Sequence, residues 1–100
     1  MVIKDPMLAE TIACSLHKSK EDITIEDLQN ITSIHARGLN IQSLEGLEHC
    51  ENITHLDVSG NQIEVLEPLS HLHSLEYINL SKNFLHDISA LRDFRNLKRL

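Results

Sequence analysis

The sequence repeats itself every 22 residues over most of its length. LDVSGNQIEVLEPL occupies residues 56–69, and INLSKNFLHDISAL follows at 78–91. In both segments an apolar–x–apolar pair precedes Asn61 or Asn83, and further apolar residues follow at fixed offsets. The period defines units that each start on an apolar residue: 31–52, 53–74, 75–96 and a partial unit at 97–100. Such self-similarity is typical of a solenoid, in which each repeat packs against its neighbours.

The apolar positions within a unit predict its shape. Alternation of apolar and polar residues occurs only at unit positions 4 to 6, which favours a short strand. The remaining apolar spacing fits a turn followed by an irregular return. Stacking such coils at the inter-strand spacing of about 4.8 Å would bury these positions as continuous columns. The sequence therefore predicts an α/β repeat solenoid with short parallel strands on its concave face.

The repeated asparagine has a structural explanation in this arrangement. A coil that turns sharply inward leaves backbone N–H and C=O groups buried without a ladder partner, and such groups must be satisfied. An asparagine side chain carries both a donor and an acceptor. We interpret Asn61 and Asn83 as a structural ladder rather than as catalytic residues. Leu39 occupies the equivalent position in the first unit, so we expect a looser turn there.

Residues 1–30 do not follow the repeat and predict a helical N-terminal cap. Asp5 suits the N-cap of a helix, Pro6 suits its first position, and lysines lie near its expected C-terminal end at 18 and 20. Thr24 is the expected cap of a second helix. The first helix has an apolar stripe: Leu8, Ala9, Ile12, Ala13 and Leu16. The stripe would cover the first unit, so we divide one continuous domain into a cap, 1–30, and repeats, 31–100.

These patterns carry two family resemblances. The pattern LxxLxLxxNxLxxLxxLxxLxx resembles a leucine-rich repeat of the short, 22-residue type. The cap residues DPMLAETI and ITIEDLQNITSI, followed by LNIQSLEGLEHCENITHLDVSGNQI, are similar to the N-terminal cap and first repeats of the internalin-type bacterial proteins. Internalins use the solenoid to adhere to host-cell receptors. The resemblance therefore implies a non-enzymatic module that recognises a protein ligand.

Leucine-rich repeats commonly bind protein ligands on the concave strand face, whose outward side chains lie at unit positions 3, 5 and 7. Those candidate ligand-binding residues are Ser33, His55, Tyr77 and Arg99 at position 3, His35, Asp57 and Asn79 at position 5, and Arg37, Ser59 and Ser81 at position 7. Tyrosine and arginine are typical interface anchors, so Tyr77 and Arg99 are the strongest candidates. A solvated polar face is the alternative at each position.

Composition and motifs argue against other classes of function. The chain has 15 acidic and 9 basic residues, a formal charge of −6, and no basic tract, which argues against nucleic-acid binding. No apolar run approaches the roughly 20 residues needed for membrane insertion. Ser59 lies in VSGN rather than in G-x-S-x-G, and no nucleophile–base set appears. We therefore expect neither an enzyme nor a cofactor.

A metal site is a remote alternative function. His49, His71 and Asp93 share unit position 19, so neighbouring coils would bring them about 5 Å apart on the convex side. Two imidazoles and a carboxylate at that spacing are able to hold a metal ion. The interpretation that we favour is three solvated polar residues, with no metal bound.

The two cysteines bear on the cellular compartment. Cys50 falls on the inward column and is expected to be buried, whereas Cys14 lies opposite the apolar stripe and is expected to be exposed, so the two should not pair. An exposed free thiol and the absence of a recognisable signal peptide favour the cytoplasm. If a signal has been removed, a cell-surface or secreted location is expected instead.

The end of the sequence suggests one more alternative. Leu100 is itself a core position, and no C-terminal cap follows the third unit. The chain could therefore be a structural cap-plus-repeats piece of a larger receptor or adhesin, with no ligand site of its own. In isolation, we expect such a chain to self-associate or fray at its uncapped C-terminal end.

Overall fold

The computed structural model describes residues 2–85, which form two α-helices, three short 3-10 helices and three strands. In chain order the α-helices and strands are α1 (Pro6–Leu16), α2 (Ile25–Gln29), β1 (Ser33–His35), β2 (His55–Asp57) and β3 (Tyr77–Asn79). The first 3-10 helix is Lys20–Asp22, between the two α-helices. The strands form one parallel sheet in the order β1-β2-β3. Ile34 pairs with Leu56, which pairs with Ile78, so the sheet register equals the 22-residue period. The predicted solenoid with short parallel strands is confirmed.

Aliphatic side chains from successive coils fill the interior. The middle residues of the strands are buried, and so are the apolar columns of the turn and return: Ile41 with Ile63, Leu44 with Leu66, Leu47 with Leu69, and Cys50 with Leu72. Short 3-10 helices at Leu47–His49 and Glu67–Leu69 form part of the return on the convex side. Each fully buried leucine or isoleucine contributes roughly 1.5–3 kcal/mol relative to the exposed side chain. Stacking of coils therefore supplies the core that no single coil has.

Helix α1 begins as the sequence predicts but ends earlier. The Asp5 carboxylate accepts hydrogen bonds from the backbone N–H groups of Met7 and Leu8 at 2.9 and 3.2 Å, and Pro6 is the first helical residue. His17 adopts a left-handed conformation, with φ of 58°, and ends the helix after Leu16. The backbone N–H of Lys18 bonds instead to the Ala13 carbonyl at 3.1 Å. Lys18 and Lys20 therefore lie beyond the helix rather than in its last turn.

Helix α2 is short and is fixed by its first turn. The Thr24 hydroxyl accepts from the Asp27 backbone N–H at 3.1 Å, and the Asp27 carboxylate accepts from the Thr24 N–H at 3.0 Å, which completes a capping box. Lys18 Nζ lies 2.7 Å from Asp27 Oδ2 and, with the Thr24 bonds, holds the pKa of Asp27 below its usual value. These contacts fix the start of α2 beside the end of α1.

The cap packs directly on the first coil. The predicted stripe of α1 is buried at residues 8, 9, 12 and 13, and Leu16 is half-buried. Asp5 also bonds the first coil, because its Oδ2 accepts hydrogen bonds from the backbone N–H groups of Gln42 and Ser43 at 2.8 and 3.2 Å. Gly46, with φ of 105°, lies so close that an added Cβ would sit 2.4 Å from the Val2 carbonyl oxygen. The N-terminal segment is therefore pressed against the first coil.

The turn of the first coil is not loose, which corrects the expectation from Leu39. The backbone N–H groups of Leu39 and Ile41 both donate to Asn61 Oδ1, at 2.9 and 3.0 Å. The asparagine of the second coil thus bonds the turn of the coil before it, so the first coil needs no asparagine of its own.

The two cysteines differ sharply in accessibility, and we predict a matching difference in labelling. Cys14 is exposed, whereas Cys50 is fully buried, and burial together with the charge of Glu48 raises the pKa of Cys50 to about 12. Because the thiolate is the reactive form, a maleimide at neutral pH should label Cys14 in the native protein and Cys50 only after unfolding. Mass spectrometry of labelled peptides checks this, with Cys14→Ser as the control that should abolish native labelling. Equal native labelling of both thiols would contradict the burial of Cys50.

Some sequence expectations concern residues outside the described range. Arg99, Asp93, the partial unit 97–100 and the proposed self-association through the C-terminal end all lie there. Among residues 2–85, no helix combines the length and apolar character required to span a bilayer.

Candidate functional site

The concave sheet face carries two rows of outward side chains. Because each strand buries its middle residue, the flanking residues point outward, and the parallel register aligns them across coils. One row contains Ser33, His55 and Tyr77, and the second contains His35, Asp57 and Asn79. Ser33, His35 and His55 are exposed, whereas Asp57, Tyr77 and Asn79 are half-buried. The sheet therefore brings six of the predicted residues onto one surface.

Aromatic rings form the centre of the first row. The rings of His55 and Tyr77 stack with centroids 5.9 Å apart and an interplanar angle of 23°. Thr54 Oγ1 lies 2.9 Å from His55 Nδ1, within hydrogen-bonding distance, which holds the imidazole in one orientation. Thr54 was not among the residues predicted from the sequence, although its position next to an outward histidine was a usable signal. The stack presents a partly apolar surface on an otherwise polar face.

A polar network orients Arg37 beside this row. Arg37 Nε donates to Ser59 Oγ at 2.9 Å, and its Nη2 lies 3.1 Å from Asp57 Oδ2. Asp57 Oδ1 in turn accepts from the backbone N–H and hydroxyl of Ser59, at 3.1 and 2.8 Å. The Arg37 side chain nevertheless remains 67% exposed. The guanidinium is therefore held in place with much of its surface open to a partner.

The same network determines the ionisation of Asp57. Partial burial acts to raise the pKa of this carboxyl, but the backbone and hydroxyl hydrogen bonds of Ser59 lower it, as do the charges of Arg37 and His35. The net effect is a pKa below the usual range. Asp57 is consequently ionised near neutral pH and remains an ion-pair partner for Arg37.

Ser59 corrects one part of the predicted site. We expected it to point outward on the ligand-binding face, but only 5% of it is exposed. Its hydroxyl donates to Asp57 and accepts from Arg37, so both neighbours occupy it. Ser81, one coil later, makes the equivalent bonds to Asn79 Oδ1 at 3.1 and 2.8 Å but stays exposed. Ser59 therefore positions Arg37 rather than offering a contact surface of its own.

The two repeated asparagines bond backbone groups of their own coil and of the coil before. Asn61 is 3% exposed, and its Nδ2 donates to the carbonyls of Ala36, Val58 and Ser59 at 2.8, 2.8 and 3.2 Å. Asn83 donates to the carbonyls of residues 58, 80 and 81, and accepts from the N–H of residue 63 at 3.0 Å. These side chains satisfy turn groups that the sheet leaves unpaired.

The convex histidines show no metal-binding arrangement within residues 2–85, where no group of three or more His, Cys, Asp or Glu side chains could hold an ion. His49 is half-buried with Nε2 3.9 Å from Glu48 Oε2. His71 is exposed, and its ring meets that of His73 edge-on at a centroid distance of 6.2 Å. The third member of the hypothetical set, Asp93, lies outside the described residues.

Comparison with known proteins identifies the architecture. The family model described as "Leucine Rich repeats (2 copies)" matches residues 51–93. The crystal structure of an internalin (inlF) from Listeria monocytogenes superposes with a TM-score of 0.95 and 38% sequence identity, and the match covers 99% of this chain. This chain is a leucine-rich repeat protein with an internalin-like helical cap.

Two further solved structures, both of bacterial proteins, are similar to this chain. The functional domain of InlJ from Listeria monocytogenes has 26% identity and a TM-score of 0.84 over 99% of this chain. A Clostridium perfringens ZmpB structure containing INT domains has 33% identity and a TM-score of 0.69 over 79% of this chain. This chain spans 30% of the inlF protein, 22% of the InlJ protein and 17% of the ZmpB protein. No curated protein sequence matches. Leucine-rich repeat domains of the internalin type are generally protein-interaction modules.

Proposed function

We propose that this protein is a non-enzymatic recognition module that binds a protein ligand through the concave face. The observation that carries the proposal is the presence on this face of two sets of oriented side chains, Arg37 in its polar network and the stacked rings of His55 and Tyr77. Two contacts hold Arg37, and the histidine and tyrosine rings stack on each other. Ordering side chains at an interface costs roughly 0.5–1.5 kcal/mol for each one. Side chains that are ordered before binding avoid much of that cost.

The composition of this surface suits a protein ligand. Tyrosine and arginine are enriched among the residues that dominate interface energetics. The stacked rings offer an apolar platform, and the exposed part of the Arg37 guanidinium offers donors to a carboxylate or carbonyl group. In this proposal Ser33, His35, Asp57, Asn79 and Ser81 form the polar surroundings of that anchor. Arg99 remains a candidate from sequence alone, and we retain the division into cap (1–30) and repeats (31–100) as part of the proposal.

A library of displayed protein fragments tests the proposal. Ligands selected on the wild-type protein should bind Tyr77→Ala and Arg37→Ala more than tenfold more weakly, a change of about 1.4 kcal/mol. Phe84→Ala is the matched control, because Phe84 is 57% exposed and lies outside the strands. Binding is measured by biolayer interferometry, and melting temperatures show whether each variant folds.

Two outcomes would count against concave-face binding. Selected ligands that bind Tyr77→Ala and Arg37→Ala as well as the wild type would place the site elsewhere. A selection that enriches no ligand would instead support the alternative, a structural cap-plus-repeats segment without a ligand site.

A further inference from the structure

A groove lies on the convex side of the solenoid, away from the strands. This convex groove has a volume of about 910 Å³ and runs between the N-terminal segment, the start of α2 and the returns of the first two coils. It is lined in part by apolar side chains: Val2, Ile25, Val65 and Pro68. The cap forms part of this groove, because Val2, Lys4 and Ile25 line it together with Gly46 of the first coil.

The apolar lining of the convex groove is open to solvent. Val65 is 62% exposed and Ile25 is 45% exposed, although both are large aliphatic side chains. Single exposed apolar residues are common on protein surfaces, but several that line one groove are typical of an interaction site. Burial of such side chains by a partner would be favourable, because it removes apolar surface from water.

Acidic side chains surround this apolar lining. The groove contains four glutamates and one lysine, together with two histidines: Glu45, Glu48, Glu64, Glu67, Lys4, His49 and His71. Glu48 Oε1 accepts the Gly46 backbone N–H at 2.8 Å, which fixes its carboxylate at the groove. Within residues 2–85, neither Glu45 nor Glu67 forms an ion pair. The groove therefore presents an excess of negative charge beside apolar surface.

We propose that the convex groove binds a basic, amphipathic segment of a protein partner, in which lysine or arginine residues alternate with apolar residues. Apolar side chains of such a segment would cover Ile25 and Val65, and its cations would pair with Glu45, Glu48 and Glu67. The same carboxylates disfavour nucleic acid and anionic membrane surfaces, because those partners are negatively charged. The proposal uses no residue of the concave face, so it stands or falls independently of the proposed function.

A displayed library of random peptides tests this proposal directly. The library is selected in parallel on the wild-type protein and on two variants that each lose three negative charges. The groove variant carries Glu45→Gln, Glu48→Gln and Glu67→Gln. The control variant carries Glu21→Gln, Glu26→Gln and Glu51→Gln, at exposed positions outside the convex groove. Glutamine at position 48 keeps an oxygen that can accept the Gly46 N–H, so the groove variant should fold.

The expected result is enrichment on the wild type of peptides that interleave lysine or arginine with apolar residues. Fluorescence anisotropy of one such synthetic peptide should show at least tenfold weaker binding to the groove variant and less than twofold change for the control variant. Val65→Ser should also weaken binding, because the apolar contact is lost. The melting temperature of each variant, compared with the wild type, shows that a lost affinity is not lost folding.

Several results would overturn the proposal. In the first, the library yields no enriched cationic peptide. In the second, the enriched peptide binds the groove variant as tightly as it binds the wild type. In the third, the groove variant and the control variant lose the same affinity, which would indicate general electrostatic attraction. Weakening by Tyr77→Ala would assign the peptide to the concave face instead. Sedimentation of the wild-type protein with phosphatidylglycerol vesicles, lost in Val65→Ser, would replace the peptide ligand with a membrane.

Discussion

Replacing Asn61 with alanine should lower the free energy of unfolding by about 2–4 kcal/mol, since each buried polar group left unpaired costs roughly 1–3 kcal/mol. The side chain is buried and bonds five backbone groups, two as an acceptor and three as a donor. These groups belong to the turns of both the first and the second coil. The substitution therefore weakens the stacking of two coils as well as one turn. Urea denaturation followed by circular dichroism measures the change.

Two variants sharpen the test of Asn61. Asn61→Asp preserves the shape and the oxygen that accepts from Leu39 and Ile41, but it removes the donor amide. Its second oxygen would face the carbonyl groups of Ala36 and Val58, so a large loss should remain near neutral pH. Asn52→Ala is the matched control, because Asn52 is exposed and makes one bond, to the Gln29 carbonyl at 2.8 Å. A loss at Asn61→Ala no greater than at Asn52→Ala would show that the bonds contribute little.

The repeat architecture was predictable because its signal is periodic and local. Ile34, Leu56 and Ile78 occupy the same unit position, and each is the buried centre of a strand. A constant 22-residue spacing leaves one register that aligns all of these residues, and that register is the one observed. The caps at Asp5 and Thr24 were predictable for a similar reason, since each acts mainly on the three residues that follow it.

Contacts between coils were harder to predict than the coils themselves. Ser59 was expected to be exposed because its unit position faces outward, but Arg37, 22 residues earlier, folds over it. The ordering of Arg37 was missed for the same reason. His17 ends α1 in a left-handed conformation. Histidine adopts this conformation more often than most residues other than glycine, so its presence was only a weak indication of where the helix ends. The convex groove depends on four separate segments of the sequence and could not be inferred from any one of them.

Asp5 joins the cap to the repeats, and its replacement by alanine should be as damaging as the loss of Asn61. The carboxylate is 8% exposed and accepts four backbone N–H groups, two at the start of α1 and two in the first coil. Loss of an N-cap alone costs about 1 kcal/mol. The residues of the first coil, at positions 42 and 43, lose their partner as well, so we expect a total of about 2–4 kcal/mol.

Hydrogen exchange would show whether Asp5 has this double role. In Asp5→Ala, the amides of α1 and those of Gln42 and Ser43 should lose protection together, because one carboxylate serves both. Asp5→Asn retains a single acceptor oxygen and should therefore keep one pair of bonds and lose the other, at about half the cost in unfolding free energy. Asp22→Ala removes an exposed carboxylate from the same helical N-terminal cap and should leave both regions protected.

If Asp5→Ala reduced protection only in the first turn of α1, then Asp5 would stabilise the protein as the N-cap of α1. Its hydrogen bonds to the first coil would then contribute little. Loss of protection in both regions would instead mean that the cap and the solenoid unfold as one unit, with the stability of the first coil set by a residue that lies outside the repeat.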